Sequence, residues 1–255
     1  MLARLNAAVR SRMNRILGRD FRSELLRRFS GRMGARKVIE HDGVRRLDID
    51  YADPAARATY REIQTFGNRQ KLGVVFASEP NIAAMARLAA ARVGPVGLVI
   101  CHGTRNGAEQ RWFKANLPGT PRVIGTEISD TATEFPDTIQ WDFHEQNPEW
   151  IGRADIVYSN SWDHSIDPER MFRNWMECLS ENGIMLIEHT SYHDGREPDL
   201  LDPFGATRDG LVRLLDRVGK SEFRVVEIFT DLPDTSAGRC AVVVARADRE
   251  QRTRQ

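Results

Sequence analysis

VGLVICHGTRNGAE, residues Val96–Glu109, is an apolar run that stops in a loop punctuated by Gly103 and Gly107 and then enters a helix-compatible segment. Val96, Leu98, Val99, Ile100 and Cys101 make a short strand apolar on both faces, the pattern of a parallel sheet covered on both sides. Glycines just past such a strand permit positive φ and let backbone N–H groups approach a ligand at the N-terminus of the following helix. The same strand, glycine and helix order also occurs in α/β proteins that bind nothing there, so the loop by itself leaves both readings open.

Downstream, apolar runs recur at the spacing of βα units, and each stops at a polar or acidic residue. Arg122–Thr126 is the predicted second strand and ends at Glu127. Thr138–Trp141 is the third and ends at Asp142, Ile156–Ser159 is the fourth and ends at Asn160, and Gly183–Glu188 is the fifth and ends near His189. Arg224–Phe229 and Ala241–Arg246 bring the total to seven. Pro168–Leu179, stopped by Asn182-Gly183, and Thr207–Gly219 each carry apolar residues at helical spacing and serve as crossover helices.

In an open parallel sheet the ligand lies outside the carboxyl ends of the strands, where strand order reverses. Glu127, roughly 20 residues past the glycine loop, suits two ribose hydroxyls because an ionised carboxylate only accepts. Asp142 ends the neighbouring strand, where an acceptor can meet an exocyclic amine, and Phe143 beside it can cover a purine face. A helix cap or a surface acid is the other reading of Asp142.

The order of elements from Val96 to Arg246, and most of all the segment Ala154–Thr190, ADIVYSNSWDHSIDPERMFRNWMECLSENGIMLIEHT, resembles the class I S-adenosylmethionine-dependent methyltransferases. That segment is similar to the family's fourth strand, a loop with an acid and a histidine, a helix, an Asn-Gly turn and the fifth strand. The resemblance implies a Rossmann-like α/β fold: a seven-stranded, mostly parallel sheet with helices on both faces and an antiparallel last strand, plus an N-terminal helical extension. It implies S-adenosylmethionine as cofactor, with the loop of Cys101, His102, Gly103, Arg105 and Gly107 at the methionine part. Glu127 then takes the ribose, Asp142 and Phe143 the adenine, and Asn160 stands on the cofactor side of the fourth strand end. The first motif departs from the family pattern, with Cys101 at its acid position and Arg105 where the middle of three alternating glycines usually stands. Arg105 either reaches the methionine carboxylate through a charge-assisted hydrogen bond or blocks the site in a non-catalytic member of the fold.

The chain divides into a basic amphipathic arm (1–37), a helical preamble covering the cleft (38–94), the α/β domain (95–248) and a charged tail (249–255). Eleven Lys or Arg against Asp20 and Glu24 give the arm about +9, while the rest of the chain is acidic. Leu2, Leu5, Val9, Met13, Ile16 and Leu17 recur at helical spacing among arginines, a pattern suited to an anionic membrane surface or a protein partner. The preamble carries helix starts at Asp53-Pro54 and Glu79-Pro80, and Phe66–Lys71 is polar and suited to line an acceptor pocket. With 41% hydrophobic residues in 255, the chain can bury one substantial core. No run approaches the roughly 20 apolar residues of a membrane span, which points to a cytoplasmic protein with peripheral attachment at most. Cys101, Cys178 and Cys240 lack paired metal spacing, so no metal site is expected. Acidic balance in the main domain opposes nucleic-acid binding. An NAD-dependent oxidoreductase is the weaker alternative, because GTRNG is not the dinucleotide fingerprint.

Methyl transfer from a sulfonium needs in-line placement and exclusion of water, and a base only where the acceptor is a hydroxyl. Asp163 and His164 follow the fourth strand and His193 follows the fifth, at the same cleft mouth; either histidine suits a base, and capping or packing is the alternative. The expected acceptor is a small molecule or a glycan or lipid-linked intermediate, methylated on oxygen.

Overall fold

The computed structural model describes residues 23–32, 37–194 and 197–247. The apolar stripe read over Leu2–Leu17 and the charged tail from residue 249 lie outside the described residues.

In chain order the elements are α1 (residues 23–29), β1 (Val38–His41), β2 (Val44–Leu47), α2 (Pro54–Gln70), α3 (Glu79–Val93), β3 (Leu98–His102), α4 (Ala108–Asn116), β4 (Arg122–Glu127) and β5 (Thr138–Gln140). They continue with β6 (Ala154–Ser159), α5 (Pro168–Glu177), β7 (Leu179–His189), β8 (Phe204–Ala206), α6 (Arg208–Gly219), β9 (Phe223–Phe229) and β10 (Cys240–Arg246). The main sheet has spatial order β5-β4-β3-β6-β7-β10-β9. Its first five strands pair in parallel, and β10 runs antiparallel to both β7 and β9. This is the seven-stranded, mostly parallel sheet with an antiparallel last strand that the apolar runs and their resemblance implied.

Alternation along the strands divides the core between the two faces. Val99, Cys101, Ile156, Tyr158, Ile184 and Leu186 pack with Ile82, Met85 and Phe113 of α3 and α4. Ile100, Val157, Met185, Ile187 and Val242 pack with Met171, Phe172, Trp175, Leu211, Leu214 and Leu215 of α5 and α6. Strand β7 starts at Leu179, before the Asn182-Gly183 pair that reads as a turn. Its pairing with β6 shifts register between Ala154 and Ile156, and a Cβ on Gly183 would lie 2.4 Å from the Ala154 carbonyl oxygen. The glycine therefore belongs to a close backbone approach inside a sheet.

The segment read as a purely helical preamble also holds a β-ribbon. Strands β1 and β2 pair antiparallel around Asp42 (φ 51°) and Gly43 (φ 76°), and β8 joins β2 from far along the chain. Two positive φ values are what the favoured two-residue hairpin turn requires, and Asp-Gly is its signature. The turn packs on the start of α6: Gly43 O accepts from Thr207 N at 2.9 Å, and a Cβ on Gly43 would meet Thr207 Oγ1 at 2.6 Å. At the N-terminal side, Leu25 and Phe29 of α1 are buried with Ile63 of α2 and with Leu200 and Leu201. Arg32 and Glu62 add a two-pronged ion pair at 2.5 and 2.8 Å.

Candidate active site

Strand order reverses between β3 and β6, since β4 and β5 lie to one side and β7 to the other. At the carboxyl ends of these two strands, Ser159 Oγ donates to His102 O and Ser161 Oγ to Gly103 O, both at 3.1 Å. Above this point opens a cleft between the sheet ends and α2. The sheet ends supply Gly103, Arg105, Glu127, Ile128, Phe143, Ser161 and His164 to its lining. Helix α2 supplies Tyr60, Gln64, Gly67 and Asn68, its C-cap Lys71 follows, and Leu201 closes one side.

The glycine loop turns its backbone N–H groups onto β4 and onto itself. Gly103 (φ 73°), Arg105 (φ 42°) and Gly107 (φ 72°) all take the left-handed region, so Arg105 adopts a conformation that favours glycine. Gly103 N and Thr104 N donate to Thr126 O at 2.9 and 3.1 Å, which ties the loop to β4. Arg105 N donates to Glu127 Oε2 at 3.1 Å, and Ser129 N donates to Oε1 at 3.1 Å. Burial raises the Glu127 carboxyl, against these bonds and the Arg105 charge. The Arg105 side chain turns to the segment between α2 and α3: Nη1 donates to Val74 O at 2.9 Å, and the guanidinium lies 5.3 Å from the Phe76 ring centre. Asn106 Nδ2 donates to Leu72 O at 2.9 Å, a second clasp on the same segment.

Five side-chain polar atoms in this stretch, His102 Nε2, Thr104 Oγ1, Arg105 Nε, Glu109 Oε2 and Gln110 Oε1, are buried without a hydrogen-bond partner among the described residues. Orphaned buried polar atoms are costly, and their concentration between His102 and Gln110 marks a stretch whose polar groups are not saturated by the chain itself.

The other residues singled out from sequence take varied positions. Cys101 is fully buried beneath the loop, its thiol pushed up by burial. His102 is also buried; burial lowers it to about 3, its Nδ1 meets Thr126 Oγ1 at 2.9 Å, and its ring stacks on Trp175. Gly107 caps α4 without lining the cleft, and Asn160 Oδ1 accepts from Ser161 Oγ at 3.1 Å, also outside the lining. Phe143 lines the cleft, whereas Asp142 is occupied elsewhere. Asp142 Oδ1 accepts from both His144 N (3.1 Å) and His144 Nδ1 (2.8 Å), and Oδ2 lies 3.2 Å from Tyr51 Oη, which donates to Glu145 Oε1 at 2.7 Å. Burial would raise this carboxyl, and the His144 bonds overcome it and hold it low. His144, which sequence reading passed over, is fully buried and joins Ser165 Oγ through Nε2 at 2.8 Å.

The two candidate base histidines differ sharply. His164 lines the cleft, with Nδ1 at 2.8 Å from Leu201 O, 3.0 Å from Gln64 Oε1 and 3.5 Å from Asp202 Oδ1. His193 Nδ1 accepts from Thr190 N at 2.9 Å, and its Nε2 lies 3.8 Å from Asp163 Oδ2. Asp163 is thus the neighbour of His193, and Asp202 is the acid beside His164.

Gln64 and Tyr60 read from sequence only as one side of a helix, with no role at the site. The polar run 66–71 reads as suited to line a pocket, and its Gly67, Asn68 and Lys71 do line the cleft.

No protein-family model matches this chain, and no curated protein does. Solved structures match by shape. The Burkholderia thailandensis 1,6-didemethyltoxoflavin-N1-methyltransferase, solved with 1,6-didemethyltoxoflavin and S-adenosylhomocysteine, superposes with a TM-score of 0.57 at 15% identity, over 84% of this chain and 96% of that one. A Haloferax volcanii methyltransferase in complex with the Trm112 activator gives 0.53 at 14% identity, over 73% and 96%. At such identities the likeness concerns architecture, and with the strand order it shows that this chain has the class I methyltransferase fold.

Proposed function

We propose that this protein is an S-adenosylmethionine-dependent methyltransferase that methylates a hydroxyl of a small-molecule or glycan acceptor. The observation that carries this reading is the arrangement at the switch point. A left-handed loop directs the Arg105 N–H onto Glu127, and both face a cleft that also holds His164. The residues present fit the cofactor: Glu127 offers lone pairs beyond the two it uses on backbone N–H groups, and Arg105 Nε is buried without a partner among the described residues. When bound, the cofactor supplies an electrophilic methyl on a sulfonium.

Glu127 would hold the ribose, the loop at Gly103 and Arg105 the methionine part, and Phe143 a face of the adenine. Asp142 reads less well as the adenine acceptor, because it is not among the residues lining the cleft and its Oδ1 is turned to His144. Clasped to the loop through Val74 and Leu72, the segment between α2 and α3 would exclude water from the reacting centre. His164 would take the acceptor proton on Nε2, whose ring partner atom Nδ1 faces only acceptors. Outside the cleft, the basic arm would add association with an anionic surface; its support is the sequence charge alone, and vesicle binding that fades with salt is its test.

Titration calorimetry with S-adenosylhomocysteine and with NAD tests the cofactor. Binding of the first alone is the expected result. Binding of NAD alone would mean an oxidoreductase, and binding of neither would mean a non-catalytic member of the fold.

A further inference from the structure

Resting on the reading of His164 as the base, we propose that Gln64 is a positioning residue. Together with the Leu201 carbonyl it locks His164 in the tautomer that carries its proton on Nδ1 and its lone pair on Nε2. The three groups close a ring of hydrogen bonds. Gln64 Nε2 donates to Leu201 O at 2.9 Å, which fixes the amide orientation and turns Gln64 Oε1 toward His164 Nδ1 at 3.0 Å. Leu201 O lies 2.8 Å from the same Nδ1. A carbonyl and an amide oxygen can only accept, so Nδ1 must be the donor to both. The opposite tautomer would set a ring lone pair against two oxygens, and flipping the Gln64 amide would relieve only one of them while opposing its oxygen to the Leu201 carbonyl. Nε2 is then the acceptor in the neutral ring, on a side chain that lines the cleft.

The ring depends on the approach of two segments that lie far apart in sequence. Asp199 Oδ1 accepts from Leu201 N at 2.9 Å and Asp202 N at 3.0 Å, which fixes the turn that presents the Leu201 carbonyl. One helical turn beyond Gln64 stands Gly67, where an added Cβ would lie 2.4 Å from Leu201 Cδ1. Glycine at that position of α2 lets the turn reach the amide. Asp202 Oδ1, 3.5 Å from Nδ1, reinforces the donor assignment.

Long-range ¹H–¹⁵N correlation spectra of the full ¹⁵N-labelled chain, recorded above the imidazole titration, test the lock. His164→Gln identifies the resonances by their loss. The expected wild-type pattern is a protonated Nδ1 and an unprotonated Nε2 in a single tautomer. Gln64→Met, which keeps the volume and removes both amide bonds, should release a mixture of tautomers, and Gly67→Ala should shift the ring the same way by displacing Leu201. A wild-type ring protonated on Nε2 would overturn the proposal without recourse to any variant, and so would a Gln64→Met spectrum identical to wild type. S-adenosylhomocysteine binding measured on the same samples reports on the cofactor reading separately, so failure of one is distinguishable from failure of the other.

Discussion

Glu127 sits where two economies meet. Its carboxylate is buried and accepts the backbone N–H groups of Arg105 and Ser129, one on each oxygen. Such a group is held in one orientation and retains acceptor capacity for a diol. Glu127→Ala should weaken S-adenosylhomocysteine binding by about 1–3 kcal/mol, the size of lost hydrogen bonds to a charged acceptor. Calorimetry on the folded variant checks it, and unchanged affinity would remove Glu127 from the ribose site. His164 and His193 separate on similar grounds. Because the Nδ1 of His193 is spent on the Thr190 N–H and its ring packs on Trp162 at 4.5 Å, it serves its own turn. Once an acceptor is known, His164→Ala should lower the transfer rate about 10²–10⁴-fold with cofactor affinity nearly unchanged, the usual size of a general-base effect. His193→Ala should cost far less, and equal losses in both would refute the assignment.

Among the elements, α1 and α2 decide how the cleft is closed. Phe29 is fully buried although it lies in a segment that reads from sequence as part of a basic arm. It covers Ile63 and Leu201, the latter being the residue whose carbonyl faces His164. Phe29→Ala should therefore cost about 3 kcal/mol, near the lower end for a deleted core aromatic. Denaturant titration measures this, and a loss below about 0.5 kcal/mol, the range of surface substitutions, would mean that α1 does not dock. The exposed Arg32–Glu62 pair is worth at most a fraction of that, because solvent screens it. A chain beginning after the arm would expose the same apolar patch beside the cleft. The β1–β2 hairpin turn is held by contact as well as by φ. Gly43→Ala forces a Cβ against Thr207 Oγ1 and disturbs the cap of α6.

At the scale of the whole molecule, buried acids set opposite pH trends. Glu109, in the first turn of α4, is pushed up to about 7, chiefly by burial. Its folded value thus exceeds the unfolded one of about 4.3, and the folded state holds the proton more tightly. Stability tied to Glu109 is full below about pH 4.3 and is lost as pH rises toward 7. Asp142 acts in reverse: its carboxyl is held low against burial by His144, so its contribution is present above about pH 3.9 and is lost on acidification. Glu109→Gln should accordingly raise the melting temperature by a few °C at about pH 8 and change it little near pH 4.5. A scanning-calorimetry series over pH checks the sign, and an equal shift at both ends would show that the carboxyl charge is not involved.

The sequence by itself determined the sheet. Runs such as Leu98–His102 and Ile184–His189 are apolar on both faces, and strands of that composition have no stable place except between two helical layers. The stopping points of those runs also put Gly103, Glu127 and Phe143 at one end of the sheet, because parallel strands share a direction. The Asp42-Gly43 hairpin and the Asp142–His144 pair are local and equally legible, since each joins residues only a few positions apart. What only the tertiary structure decided is which distant groups saturate which polar atoms. Gln64 and His164 stand 100 residues apart, and Tyr51 and Asp142 stand 91 apart. No periodicity encodes such partners. Hydrogen-bond partnership depends on the approach of α2 and the Asp199–Asp202 turn across the sheet ends, and that approach is set by packing volumes at Gly67, Leu201 and Phe29 rather than by any pattern along the chain.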